Sequence, residues 1–155
     1  MPKLSDTITV AENLLSKDEQ ALLLEIGLRE NAITADPTRA DDPDLAVVYE
    51  GTHMGLIDDI KALGNRIMNR WNRELYAIVC PKASAAVTAE EKKMRDDLLT
   101  ALNLTDAAVI AAVVTGLIAL GAPAAIAAPV APFIVKKFIM PAKDELCDAW
   151  GEALA

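Results

Sequence analysis

The chain has 155 residues, a formal net charge of −8, and an apolar fraction of 53% in which alanine outweighs bulky side chains. That length suits one domain with a real core. The acidic balance argues against general nucleic-acid binding, because phosphate is repelled by an acidic surface.

The opening MPKLSDTITV has no basic stretch leading into an apolar run, so no secretory signal is expected. Ser5 or Asp6 is placed to cap a short helix through Leu15, while the β-branched run Thr7–Val10 is equally compatible with a short strand. Ser16-Lys17-Asp18-Glu19 fits a capping box, and Leu22, Leu23 and Ile26 form the apolar face of the helix it opens, with Gly27 or Asn31 as its stop. Residues 31 to 52 then read as a connector broken by Pro37 and Pro43 and kept wet by Asp36, Asp41, Asp42 and Asp44. Within it, Leu45–Tyr49 is a candidate strand partner for Thr7–Val10. The carboxylates there lack the alternation, glycine and closing glutamate of an EF-hand loop, so no metal site is expected.

Leu56, Ile60, Leu63, Ile67, Trp71, Leu75 and Ile78 recur at spacings of four and three, which predicts a long amphipathic helix ending before Pro81. Its opposite face carries Arg66, Arg70 and Arg73 at i, i+4 and i+7, with Asn65, Asn69 and Asn72 alongside. Guanidinium groups in that register suit an acidic protein partner or an anionic membrane surface; the plainer reading is a solvated face partly neutralised by Glu74 or by the acidic loop. Thr88–Glu91 is a second capping box, opening a helix to about Leu102 with Met94, Leu98 and Leu102 inward and Asn103 as a left-handed stop.

From Ala107 to Val135 no residue is charged. Thr105 caps this segment, and Gly121, Ala122 and Pro123 divide it into two helices of a hairpin. Ala108, Ala112 and Gly116 leave one edge of the first arm nearly bare, and Ala124 and Ala128 continue the theme in the second. Small residues at that spacing allow close backbone approach in soluble bundles and membranes alike. Arms of about 15 residues reach only about 22 Å, short of a bilayer core of about 30 Å. The turn carries no polar side chain and the flanking charges, Asp106 and Lys136, lie at the open end. Those two features suit tip-first entry into a bilayer after a trigger. Pro129 and Pro132 should kink the second arm, and Pro141 should start a last helix lined by Leu146, Ala149, Trp150 and Ala153.

The expected fold is all-α, a compact bundle around a hydrophobic hairpin over residues 107–139. Its expected parts are an N-terminal helical element (1–33), an acidic linker (34–52) and the bundle proper (53–155). His53 is the only histidine, and no nucleophile–base motif, phosphate loop or metal-ligand spacing surrounds it. Cys80 and Cys147 show no CxxC spacing; without a signal they read as free, half-buried thiols in a reducing cytoplasm. The function expected is therefore non-enzymatic, without cofactor: association with a protein partner or a second copy through apolar and small-residue helix faces. The alternative is a conditionally membrane-inserting effector.

Overall fold

The computed structural model describes residues 4–45, 57–80, 89–141 and 146–154. Among these residues the protein is all-α, with seven helices and no strand: α1 (Leu4–Leu14), α2 (Glu19–Ala35), α3 (Ile57–Val79), α4 (Ala89–Ala101), α5 (Asp106–Ala119), α6 (Ala124–Ile134) and α7 (Leu146–Leu154). A 3-10 turn, Pro37–Asp41, follows α2, and a π turn, Val135–Ile139, extends α6.

Thr7–Val10 lie within α1, so the strand alternative is corrected to helix; its proposed partner, residues 46–49, falls outside the described residues. Thr7 and Ala11 share the buried side of α1 with Leu14, a helical period that outweighs the β-branched run. The cap of α2 is also corrected. Asp18, not Ser16, accepts the amide of Ala21 at 2.8 Å, while the Ser16 hydroxyl donates back to Asn13. A carboxylate at this position both accepts an orphan amide and faces the positive end of the helix dipole.

Nor does α2 end at Gly27. It runs on to Ala35 because Gly27 is needed inside the helix: a Cβ there would lie 2.9 Å from the carbonyl carbon of Ile60 on α3 and closer still to its oxygen. Gly64 repeats this from the other side, its absent Cβ falling 2.9 Å from the carbonyl carbon of Leu23. The two glycines are thus the reciprocal crossing point of α2 and α3, each seated over the residue four before the other. Without side chains the backbones approach to Cα–H···O range.

The long helix expected over residues 56–78 is present as α3, and Trp71, Leu75 and Ile78 are buried. Asn72 departs from the reading that put it on the polar face: it is 0% exposed. Helix α4 occupies the span expected, although its Thr88 cap and the start proposed at Pro141–Glu145 involve residues 81–88 and 142–145, outside the description. Asn103 does not adopt a left-handed conformation; among the described residues only Gly121 has positive φ, at 106°.

Helix α6 is the most enclosed element. Every residue from Ala125 to Val135 is buried, against α1, α2, α3, α5 and the 3-10 turn. A helix apolar all round has no solvent face to offer, and alanines let its neighbours approach closely. Pro129 and Pro132 sit inside it, and the regular ladder gives way just beyond them to the π turn.

Candidate functional site

Arg66, Arg70 and Arg73 are exposed along one face of α3, as their spacing predicted. Arg70 lies 4.0 Å from Glu74, a pair with side chains 63% and 43% exposed, and its guanidinium stands 4.6 Å from the Trp71 ring centroid. Water screens such a pair to a fraction of a kcal/mol. The acidic loop does not fold back onto this stripe: Asp42 and Asp44 instead line a groove with Arg29 and Lys17. Because α3 is locked against α2 at Gly27 and Gly64, the stripe is carried on a rigid rod.

The small-residue edge of α5 faces α3 and α4. An added Cβ on Gly116 would meet Leu75 of α3 at 3.2 Å and Met94 of α4 at 3.9 Å. Ala108 and Ala112 are half-buried and, with Met94, Asp97, Ala101 and Thr115, border an open groove of about 250 Å³ between α4 and α5. At the turn, Gly121 is exposed but Ala122 is only 5% exposed and Pro123 half-buried. The apex is therefore not the open, wet turn that a surface hairpin presents. Leu4 and Thr7 of α1 and Ala40 and Asp41 of the 3-10 turn stand around it, leaving a depression of about 520 Å³. Among the described residues no helix is long and apolar enough to cross a membrane, and no group of three or more His, Cys, Asp or Glu is arranged to hold a metal ion.

Three features escaped the sequence reading. The first is Arg29, 2% exposed in α2. Its Nε donates to Glu25 at 2.9 Å, and one terminal nitrogen donates to the carbonyls of Pro43 at 2.6 Å and Ala125 at 2.9 Å. The chemistry is supplied by Pro129. Lacking an N–H, it cannot bond the carbonyl four residues back, so Ala125 is left with an unused acceptor deep in the fold. Arg29 fills that vacancy and uses the same group to hold the segment after the 3-10 turn. Glu25 and Arg29 at i, i+4 look like any surface pair; the signal was the proline four residues after Ala125. At the other end of the same helix, Lys136 donates to the Lys17 carbonyl, and Lys137 pairs with Glu19 at 3.8 Å. Both ends of the α6–π segment are thus tied to α2 or the turn before it.

The second feature corrects the expectation of free thiols. Cys80, at the end of α3, and Cys147, in the first turn of α7, form a disulfide with Cα atoms 5.6 Å apart. Their separation of 67 residues gave no hint of proximity, which arises only when α7 returns to α3. Disulfides of this kind persist chiefly in oxidising surroundings.

The third is the polar seat beneath α7. Trp150 is 0% exposed and donates its indole N–H to Asn72 Oδ1 at 2.7 Å, with Tyr76 packed edge-on at 5.4 Å. Asn72 Nδ2 is buried without a hydrogen-bond partner. Among the carboxylates, Asp36 titrates below its ordinary value of 3.8 because the Thr38 hydroxyl, then the Thr38 amide, donate to it, with Arg39 adding attraction against a small burial penalty. That is a capping role at the start of the 3-10 turn.

No family model, no curated protein and no solved structure matches this chain.

Proposed function

We propose that this chain is a non-enzymatic interaction protein, associating with an acidic protein surface through the arginine face of α3, with the half-open small-residue edge of α5 as a further apolar contact. The observation that carries the reading is the stripe itself: three exposed guanidiniums along a rigid helix in a chain of net charge −8. Only Arg70 has a carboxylate neighbour among the described ion pairs, and that one at the limit of contact. Planar guanidinium groups bind carboxylates bidentately, and a second copy of this acidic chain is the first partner to test. Sedimentation of the native chain should show association at low salt that is lost at high salt. Arg66→Glu with Arg70→Glu should abolish it with an unchanged circular-dichroism spectrum. Equal behaviour of native and double variant, with a second copy or an acidic partner protein alike, would sink the proposal.

A second reading, conditional insertion of residues 107–139 into a bilayer, has one observation in its favour. The uncharged α6 is buried from Ala125 onward and Ala122 of its turn is buried beside α1 and the 3-10 turn, an arrangement that keeps an apolar segment from water until its neighbours leave. A charge at Ala122 would test folding as much as insertion, because that residue is buried. Ala119 is exposed one turn earlier, so Ala119→Lys is the cleaner probe. Leakage of anionic vesicles by the native chain that this lysine abolishes would favour insertion; leakage indifferent to it, or none, would count against it.

A further inference from the structure

We propose that the Cys80–Cys147 disulfide is a redox-operated clasp that decides whether α7 is docked on α3. The helix has only nine residues, too few to persist as a helix alone in water. It packs mainly on α3 and the π turn, with Leu146 and Trp150 buried and Cys147, Asp148 and Glu152 facing solvent. Apart from the disulfide, its described ties to α3 are the indole bond to Asn72, the edge contact with Tyr76 and a 3.3 Å bond from the Tyr76 hydroxyl to the Cys147 carbonyl. Gly151 allows that fit, since a Cβ there would lie 2.6 Å from the Tyr76 hydroxyl oxygen.

The seat also carries a built-in cost. Asn72 Nδ2 is buried with no acceptor while Oδ1 of the same amide is held by Trp150 of α7, so departure of α7 would uncover part of this amide. For a short helix docked on a side chain with an unsatisfied amide, opening brings a gain that offsets part of the burial it loses. The covalent link opposes that gain by holding the first turn of α7 at the end of α3.

The link is within reach of chemistry. Cys147 is exposed and Cys80 half-buried, so a dithiol reductant would attack Sγ of Cys147. A mixed disulfide forms and Cys80 leaves as thiolate. The second thiol of the reductant then closes its own disulfide and releases Cys147, two electrons passing to the protein. The seat bared on α3 comprises Asn72 and Tyr76 beside the π turn, and its occupant in the oxidised state is α7 itself. This inference stands apart from the identity of any partner.

The test is hydrogen exchange on the full chain, oxidised, reduced with dithiothreitol, and as the Cys80→Ser/Cys147→Ser double variant. Reduction should accelerate exchange over residues 146–154 at least tenfold more than over α2 and α3, with helix content outside α7 retained and protection restored on reoxidation. The double variant should match the reduced form. If α7 stays as protected as before, or loses protection only in step with α3, the crosslink is not a clasp. A disulfide that dithiothreitol leaves intact in the folded chain, or thiols that stay free after oxidative refolding, would overturn the proposal equally.

Discussion

Replacing Gly27 by alanine sets two well-characterised effects against each other. Inside a helix, alanine is favoured over glycine by about 1 kcal/mol, so a reading confined to α2 predicts stabilisation. The crossing with α3 predicts the reverse. The new Cβ would lie 2.7 Å from Ile60 Cγ2 and 2.9 Å from the Ile60 carbonyl carbon, where comfortable contact begins at 3.4 Å. The Ile60 side chain can turn away, but its carbonyl belongs to the backbone of α3 and cannot. Relief therefore means separating the two helices by at least half an ångström, along the most extensive helix–helix contact in the protein. Overpacking of this kind costs about 1–3 kcal/mol, and backbone against backbone belongs at the top of that range. Net of propensity, Gly27→Ala should destabilise the fold by about 2 kcal/mol, which for a chain of this size is a fall of about 4–8 °C in Tm. Urea denaturation followed by circular dichroism reads this directly. Gly64→Ala should behave alike, and the double variant should lose less than the sum, since helices already parted accommodate the second methyl. A stabilised Gly27→Ala, or strict additivity of the pair, would refute the close crossing.

Arg29→Met keeps the length of the side chain but removes the donors to Pro43 and Ala125, and two buried carbonyls without partners should cost about 3 kcal/mol in urea denaturation; a loss below about 1 kcal/mol would mean those carbonyls are satisfied otherwise. Trp150→Phe retains an aromatic ring yet leaves Asn72 with neither polar atom bonded, and about 1–2 kcal/mol should be lost, with faster exchange over residues 146–154 than elsewhere. Asp36 has a folded-state pKa below its unfolded value, so its contribution is fully present above pH 3.8 and disappears as pH falls through the lowered value. The native chain should lose stability in that acid window by more than Asp36→Asn does, and equal acid sensitivity of the two would show that the Thr38 bonds do not bear on folding.

The division between what one chain position announces and what only packing decides is visible residue by residue. Periodicity identified α3 and its arginine face, Thr105 announced the start of α5 by accepting the Ala108 amide, and Gly121 marked a turn where, alone among the described residues, φ is positive. These are local facts: a cap, a stripe and a left-handed residue depend on neighbours within four positions. The same locality explains the misreadings. Gly27 resembles a helix stop because its true reason, the carbonyl of Ile60, is on another helix. Asn72 resembles the exposed Asn65 and the half-buried Asn69 until Trp150 of α7 packs against it. Glu25 and Arg29 have the spacing of a solvated pair, and burial follows only from the acceptor that Pro129 frees in α6.

By itself, then, the sequence determined helical class, the uncharged segment between Asp106 and Lys136, and that the three arginines of α3 would meet water, because hydrophobic period and capping chemistry act over a few residues. Tertiary structure alone decided that Cys80 meets Cys147, that Arg29 reaches Ala125 and that Ala122 is buried at its turn. Each of those joins groups far apart along the chain, and their proximity is set by how the helices pack, which no local spacing encodes.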